Sequence, residues 1–373
     1  MLQYLTAGES HGKYLSAILA NIPSGLKIDP NLIQEELARR QQGYGRGGRQ
    51  KIEADRVQMT AGVIRGISTG APIAFLLENR DASIDKMPDL SRPRPGHADL
   101  AGALKYDQGI RPVLERASAR ETAMRVAVGA VCKIFLKEFG IQVVGHVLRI
   151  GKASVVGERK ETIDSIQKKA KHSPVFCICK KAEKAMMKAI DETRRQKNTL
   201  GGQYEIRAGR MPIGLGSYAH YEKKLDGRLA QVLMSQQSVK AVEIGRGVEL
   251  GSLLGSEAHD EIFYDSKRGY YHKTNRAGGL EGGTTNGEDI AVKVTMKPIS
   301  TLGQPLTSID MKTKKEEKAD FERSDFCAVP AGSVIGEALV ACVLAEAFLE
   351  KFGGDSMREI RRNFEGYLKQ IKG

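Results

Sequence analysis

Two histidine-containing turns are the segments of this sequence best suited to proton transfer. His11 lies in the stretch GESHG after a short apolar start, and His97 lies in the stretch RPGHAD. Histidine changes charge near neutral pH, so it can donate or accept a proton under physiological conditions. The small residues beside both histidines allow a ligand to approach closely. The alternative for each is a neutral histidine that hydrogen-bonds within its own turn.

An arginine-rich segment follows the first predicted helix. Its cations lie around four glycines, and they are Arg39, Arg40, Arg46, Arg49 and Lys51. A guanidinium binds phosphate or carboxylate through two hydrogen bonds, and glycine lets the backbone bend so that several guanidiniums converge. Two alternatives stay open, a solvated basic loop and an RNA-binding segment of the Arg-Gly-Gly type. RNA-binding segments of that type are usually repeated and disordered, whereas this one is single.

Residues 116–120, with the sequence RASAR, fall at the predicted start of a long helix. Free N–H groups and the helix dipole favour anions at such a start. The small side chains of Ala117 and Ser118 permit a flat ligand to lie against the backbone. The alternative is a plain amphipathic helix with two exposed arginines.

Two segments in the C-terminal half combine glycines or opposite charges. The glycines at 277–287 precede a predicted strand, which is the wrong order for a Rossmann site, although their N–H groups can still bind an anion. Arg323 and Asp325 are two positions apart, so they point to the same side of an extended segment. They form either a buried ion pair or a charge pair beside a reacting group.

Metal ligation and serine-hydrolase chemistry lack their motifs here. Neither His11 nor His97 has a local ligand partner, and Cys177-Ile-Cys179 has neither CxxC spacing nor a second half. No GxSxG elbow surrounds Ser10 or Ser118. The sequence therefore predicts no metal site and no hydrolase triad.

The charge balance points to an anionic partner. The 373 residues include 58 Lys and Arg against 45 Asp and Glu, a net charge of +13. Nucleic acid and a small polyanionic metabolite both fit this charge, although the absence of Trp disfavours a base-stacking surface. Five scattered cysteines predict a reduced cytoplasmic protein. The best membrane candidate, 333–349, is interrupted by two glutamates, and the N-terminus lacks a secretory pattern.

Helical and strand-like patterns alternate along the chain, with no linker or repeat between them. Helices are predicted at 30–43, where Asp29-Pro30 marks the start, and at 116–140, 158–171, 180–197 and 334–352. Strands are predicted at 57–64, 71–79, 141–150, 203–210, 239–245 and 289–297. Long glycine-rich loops are predicted at 43–48, 209–216, 266–287 and 301–308. This mixture favours a single α+β domain over 1–373 with largely antiparallel sheets.

Taken in order, these motifs resemble the chorismate synthase family over residues 6 to about 350. The matching segments are GESHG, RQQGYGRGGR, RPGHAD, RASARETAMRVA, GGLEGGTTNG, KPIST and RSDFCAVPAG. The resemblance implies a lyase of the shikimate pathway of aromatic amino acid biosynthesis. Such an enzyme converts 5-enolpyruvylshikimate-3-phosphate into chorismate and phosphate by a 1,4-anti elimination, with reduced FMN and no net redox change. The resemblance also implies a β-α-β sandwich and a cytoplasmic homotetramer.

The same resemblance implies roles for individual residues. His11 would donate a proton to the leaving phosphate, His97 would stabilise the anionic reduced flavin, and Asp325 would assist removal of the ring proton beside flavin N5. The residues implied to hold the substrate are Ser10, Arg40, Arg46, Arg49, Arg94, Arg120 and Arg323. The residues implied to hold FMN are Arg116, Ala117, Ser118, Gln237, Ser238, Gly282, Lys297, Pro298, Ile299, Ser300, Thr301 and Arg323.

Two other functions stay open at this point. A basic RNA-binding protein would use the arginine-rich segment, and it would copurify with RNA in a salt-sensitive manner. Another FMN enzyme with an anionic substrate would consume one equivalent of reduced flavin per turnover. Because no additional reductase domain is visible, we expect dependence on an external source of reduced FMN.

Overall fold

Two antiparallel sheets and two packed helices form the centre of the computed structural model, which describes residues 2–47, 54–157, 161–267, 269–322 and 324–372. The helices of these residues are α1 (Pro30–Gln41), α2 (Asp99–Tyr106), α3 (Ile110–Ala117), α4 (Thr122–Lys137), α5 (Ile163–Lys171), α6 (Lys180–Arg195), α7 (Leu225–Met234), α8 (Gly255–Ala258), α9 (Val329–Phe352) and α10 (Met357–Gln370). The strands are β1 (Gln3–Ala7), β2 (Tyr14–Ala20), β3 (Val57–Ala61), β4 (Val63–Ile64), β5 (Ile67–Ser68), β6 (Ile73–Glu78), β7 (Gln142–Ile150), β8 (Ala153–Ser154), β9 (Gly202–Gly209), β10 (Val239–Ile244), β11 (Ile262–Asp265), β12 (Gly269–His272), β13 (Leu280–Glu281), β14 (Thr284–Thr285), β15 (Ile290–Met296), β16 (Thr307–Ile309) and β17 (Glu316–Lys318).

The two larger sheets have the strand orders β1-β2-β6-β3 and β10-β15-β9-β7-β8. Neighbouring strands in both are antiparallel. In β2 the side chains of Leu15 and Leu19 are buried while Ile18 is exposed, the period of two expected when one face packs on a core. Strand β7 is buried along almost its whole length because α9, α5 and α6 all contact it.

Helices α4 and α9 join the two sheets. α4 contacts β1, β2 and β6 of the first sheet and β7 of the second, α9 contacts β7 and β9, and the two helices pack against each other. A Cβ at Gly129 of α4 would lie 2.4 Å from the Cβ of Ala338 on α9, so only glycine permits this close approach. The crossing fixes the N-terminal ends of both helices, and these ends contribute to the cavity described below.

The predicted helices are present, with shifted ends. α1 begins at Pro30, and the Asp29 carboxylate accepts a hydrogen bond from the backbone N–H of Asn31, as expected of this N-cap. α9 begins at Val329 rather than at 334, with proline in its first turn. α5 begins at Ile163, where the Thr162 side chain caps it. Helices α2, α3, α7, α8 and α10 were not predicted from the sequence.

The six predicted strands are confirmed to within a few residues, except that the first is interrupted. β3 ends at Ala61, and Gly62 turns the chain at φ +83° before the short strand β4. Strands β1 and β2 were not predicted, because exposed apolar residues on their outer face hide the alternation. The glycine-rich stretch 266–287 contains β12, β13 and β14. The α+β class with antiparallel sheets is confirmed.

The long apolar helix α9 is a core element. By length and composition alone it could cross a membrane, but 89% of its apolar window is buried inside the fold. Its Glu337 is 1% exposed and pairs with Arg39 at 2.7 Å and with Lys133 at 2.7 Å. Burial alone would raise the pKa of Glu337, but these two cations lower it to about 2.

Candidate active site

A cavity of about 410 Å³ brings together most of the residues singled out in the sequence. Its wall comprises the His11 turn, the end of α1 with the loop after it, the 94–98 loop, the α3–α4 junction, the 236–238 and 296–301 segments, and the start of α9. The described charged residues in this wall, apart from the histidines, are Arg40, Arg46, Arg94, Arg120, Lys297, Glu322 and Asp325. Because cations outnumber carboxylates, and two helix N-termini reach the wall, the cavity suits an anionic ligand.

His11 is fixed in the cavity wall by Glu115 of α3. The Nδ1 atom of His11 lies 2.9 Å and 3.0 Å from the two Glu115 carboxylate oxygens. The backbone N–H of His11 donates to the same carboxylate at 2.7 Å. Burial alone would raise the pKa of Glu115, but these hydrogen bonds from His11 lower it. The carboxylate is therefore ionised, and it presents an acceptor to Nδ1.

His97 lies in a small network with Arg94 and Asp99. Its Nδ1 is 2.5 Å from one Asp99 oxygen, while the other Asp99 oxygen accepts from Arg94 Nε at 2.8 Å. Burial alone would raise the pKa of Asp99, but the hydrogen bonds from His97 and Arg94 hold it well below the usual range. The histidine and the arginine that the sequence places three positions apart thus share one buried carboxylate.

The 296–301 segment, which follows β15, is tied to the His97 loop. The ammonium of Lys297 donates to the carbonyl of Gly96, and Arg94 Nη1 donates to Thr301 Oγ1 at 2.9 Å. Burial, together with the nearby Lys240, lowers the pKa of Lys297. A bound anion would favour the charged form of this partly desolvated ammonium.

The predicted single helix over 116–140 is wrong at its start. Ser118 has extended backbone angles, φ −61° and ψ 142°, so α3 ends at Ala117 and α4 begins only at Thr122. The Ser118 hydroxyl accepts from the backbone N–H of Arg120 and lies 3.1 Å from the Ser10 hydroxyl. Ala117, Ser118 and Ala119, at this break, all line the cavity.

The guanidiniums of Arg40 and Arg120 meet at Asp55. Asp55 accepts from Arg120 Nη1 at 2.5 Å and from Arg40 Nη1 at 3.3 Å. Arg40 is 4% exposed, and burial lowers its pKa to about 10 even though Asp55 opposes this shift. Both arginines reach the cavity wall from this buried anchor.

Asp325 pairs with Arg46 of the glycine-rich loop that follows α1, and both residues line the cavity. Arg46 Nη1 donates to Asp325 at 2.5 Å, and the backbone N–H of Gly47 donates to its other oxygen at 2.7 Å. The Nε of Arg46 is buried and has no hydrogen-bond partner among the described residues. Arg323, the partner considered from the sequence, lies outside the described residues.

The predicted binding residues divide into three groups. Those in the cavity wall are Ser10, Arg40, Arg46, Arg94, Arg120, Ala117, Ser118, Gln237, Ser238, Lys297, Ile299, Ser300 and Thr301. Arg116, Gly282 and Pro298 are described but do not line it. Arg116 instead donates to the carbonyl of Thr6 at 2.9 Å, and Gly282 lies in the turn between β13 and β14, beside Tyr218. Arg49 and Arg323 lie outside the described residues, so their roles stay predictions.

Three carboxylates behind the wall were missed by sequence reasoning. Asp55, Asp99 and Glu115 have side chains at most 1% exposed, and each contacts a predicted cation or histidine. Asp99 had a signal, because it follows His97 by two positions within RPGHAD. Asp55 and Glu115 had none, because their contacts come from distant parts of the chain.

The described arginines at the end of α1 and in the loop after it do not form an outward basic patch. Arg39 pairs with the core residue Glu337, Arg40 is buried and Arg46 faces the cavity. Gly48–Glu53, including Arg49 and Lys51, lie outside the described residues. The arrangement favours a small anionic ligand over RNA.

Comparison with known proteins shows the family of this chain. The family model described as "Chorismate synthase" matches residues 2–349. The chorismate synthase of Geobacter sulfurreducens is 50% identical, covering 100% of both chains, and that of Carboxydothermus hydrogenoformans is 50% identical, covering 100% of this chain and 99% of the relative. A solved structure titled "Crystal Structure of Chorismate Synthase" superposes with a TM-score of 0.84 at 41% identity, covering 100% of this chain and 98% of the other. The chain belongs to the chorismate synthase family.

Proposed function

We propose that this protein is a carbon–oxygen lyase that converts 5-enolpyruvylshikimate-3-phosphate into chorismate and phosphate. The reaction is a 1,4-anti elimination that uses reduced FMN without net redox change. The observation that carries the proposal is the convergence of buried arginines and two carboxylate-bound histidines on one cavity. Membership of the chorismate synthase family is the basis for naming this reaction. The cavity contains groups suited to it.

The substrate carries one phosphate and two carboxylates, so it needs several fixed cations. Arg40 and Arg120, held by Asp55, and Arg94, held by Asp99, are rigidly placed in the wall. Arg46 adds a buried Nε that has no partner among the described residues. Because these guanidiniums are already anchored, little conformational entropy is lost when they bind an anion.

Breaking the C–O bond requires charge stabilisation and a proton at the departing phosphate oxygen. His11 is the proton donor in this proposal, and the Glu115 carboxylate holds its ring through Nδ1. The ring proton of the substrate leaves on the opposite face of the allylic system. Asp325 accepts it, so that one proton is supplied by His11 and one is taken by Asp325.

The cavity residues fit a flavin. The side-chain oxygen of Gln237 is buried in the wall without a partner among the described residues, and it can accept a hydrogen bond from a ring N–H. Leu114, Met296 and Ile335 give apolar wall for a flat ring. Bound reduced FMN would supply electron density to the allylic system, which no protein side chain can do. His97, oriented by Asp99, would hydrogen-bond the reduced cofactor and favour its anionic form.

The decisive experiment is an anaerobic assay with the purified protein, chemically reduced FMN and 5-enolpyruvylshikimate-3-phosphate, in which chorismate is followed by its absorbance. We expect chorismate and phosphate in equal amounts while the reduced flavin is not consumed. Oxidised FMN serves as the matched control and should give no product. No chorismate under reducing conditions would overturn the proposal. Consumption of one reduced flavin per turnover would indicate a conventional oxidoreductase instead.

The remaining expectations are part of the same proposal. A single domain with β-α-β layers is supported by α4 and α9, which pack together and between them contact both sheets, and by a hydrophobic cluster from Leu2 to Ile360. A homotetramer is supported by the outer face of the first sheet, where the paired residues Leu5 and Ile18 are 77% and 52% exposed. Light scattering at several concentrations tests the assembly.

Five free cysteines fit a cytoplasmic location. Reduced FMN would come from an external reductant.

A further inference from the structure

We propose that Glu115 is a positioning residue that holds the proton of neutral His11 on Nδ1 and leaves Nε2 as the atom that gains and loses the catalytic proton. The inference rests on the proposed role of His11. Glu115 does not line the cavity, so its carboxylate acts through the histidine and not on the ligand itself. It deepens the proposed mechanism by assigning the working atom of the proton donor.

The carboxylate of Glu115 contacts both the backbone and the ring of His11. Its two oxygens lie 2.9 Å and 3.0 Å from His11 Nδ1, one of them also accepts the His11 backbone N–H at 2.7 Å, and the Glu115 carbonyl accepts from Ser10 N at 3.1 Å. The Glu115 side chain is fully buried. The backbone contacts alone would hold the turn, so the contact with Nδ1 has a separate effect.

That effect follows from the donor and acceptor properties of the two groups. An ionised carboxylate can only accept, so Nδ1 must carry a proton in the neutral as well as the charged ring. Nε2 is then the nitrogen that loses its proton when His11 acts as an acid. The same logic assigns the tautomer of histidines held by a buried carboxylate in acyl-transfer enzymes.

Two other charged side chains near His11 have described contacts, and they differ from that of Glu115. Asp81 lies on the opposite side of the ring, with an oxygen 4.0 Å from Nε2. Arg111 lies 3.6 Å from Glu115 and also pairs with Glu322 of the cavity wall at 3.0 Å. Arg111 thus stabilises the negative charge of Glu115. Asp81 is a carboxylate near the same ring whose described contact is with Nε2 rather than Nδ1.

Glu115→Gln is the central variant. The glutamine oxygen can still accept from the His11 backbone, but its NH₂ group can be directed at Nδ1 only as a donor. We therefore expect Nδ1 of the neutral ring to lose its proton, kcat to fall by about 100-fold or more, and KM to change less than about threefold. Asp81→Asn is the matched control, since it removes a carboxylate charge near the same ring. It should keep the Nδ1 proton and stay within about threefold of the parent kcat.

A double-mutant cycle distinguishes positioning from a general loss of stability. If Glu115 acts through His11, Glu115→Gln should have almost no further effect on kcat in a His11→Ala background. Additive losses in the double variant would overturn the proposal. The melting temperature of each variant shows whether the protein assayed is folded.

Nitrogen NMR of ¹⁵N-histidine-labelled protein tests the assignment without turnover. The His11 signals are identified by their loss in His11→Ala, and in the parent protein the neutral ring should show a protonated Nδ1. A protonated Nε2 with a bare Nδ1 in the parent protein would refute the inference even if the enzyme makes chorismate. Conversely, if the enzyme makes no chorismate, the NMR result still decides whether Glu115 sets the tautomer.

Discussion

Arg40 and Arg120 come from different helical regions of the chain, yet they share one carboxylate, that of Asp55. The donor–acceptor distances are 3.3 Å from Arg40 and 2.5 Å from Arg120, and the Asp55 side chain is fully buried. Two guanidiniums this close would otherwise repel each other in a poorly solvated place. Asp55 therefore allows two cations to face the same cavity, where a bound anion completes the neutralisation.

Replacing Asp55 by Asn should make folding depend on anions. Removing one partner of a buried charge cluster typically costs about 3–5 kcal/mol, because the remaining charges are left uncompensated. We expect a clear loss of melting temperature, and we expect inorganic phosphate to restore more of it than it adds to the parent protein. Thermal melts over a phosphate series measure both effects. Glu138→Gln, which breaks an exposed pair with Arg361, is the control and should change little. Equal phosphate responses in both variants would contradict the prediction.

His11→Ala and His97→Ala should each slow turnover by about 10²–10⁴-fold, the usual cost of a lost acid–base group. Both side chains lie in polar turns at the cavity wall rather than in the hydrophobic core, so the fold should persist. Steady-state rates and circular dichroism on each variant provide the measurement. His172→Ala, at an exposed position at the end of α5, is the control and should keep full activity. A near-parental rate in either variant would remove that histidine from the mechanism.

Asp325→Asn should reduce turnover by about 100-fold or more, because the amide cannot accept the ring proton. The amide oxygen can still accept from Arg46 or Gly47, so the glycine loop should keep its anchor. A substrate deuterated at the departing ring position should then show a larger isotope effect, since proton removal becomes more rate-limiting. Unchanged turnover combined with a melting temperature several degrees lower would mean that the pair with Arg46 is only structural.

The Glu337 cluster predicts a specific acid sensitivity. Because the folded-state pKa of Glu337 is lowered from 4.5 to about 2, its stabilising effect is complete above pH 4.5 and is lost as the pH falls toward 2. At pH 7, Glu337→Gln should cost about 3–5 kcal/mol, since Arg39 and Lys133 lose their buried partner. Urea denaturation at steps between pH 7 and pH 2 should show this difference shrinking in the acid range. A difference that does not change with pH would contradict the assignment.

The local elements and the chemical character of the site can be predicted from the sequence. Asp29-Pro30 predicts the start of α1 because capping and the fixed proline φ depend only on neighbouring residues. The period of hydrophobic residues likewise predicts β7, β9 and β15 to within two residues. The two histidine turns and the arginine segments could be recognised because their residue types and glycine neighbours are themselves the chemical signal.

The contacts that hold those groups, in contrast, depend on how the whole chain packs. Ser118 and Glu121 form the S-x-x-E pattern of a helix start, but the apolar period continues across them, and contacts with the Ser10 turn fix the break at Ser118. Asp55 and Glu115 contact residues that are far apart from them in sequence. The residue type of a carboxylate does not indicate which cation or histidine it will contact. Their partners are fixed by the packing of α1, α3 and α4 around the core, because a buried charge is tolerated only where the fold brings an opposite charge within hydrogen-bonding distance.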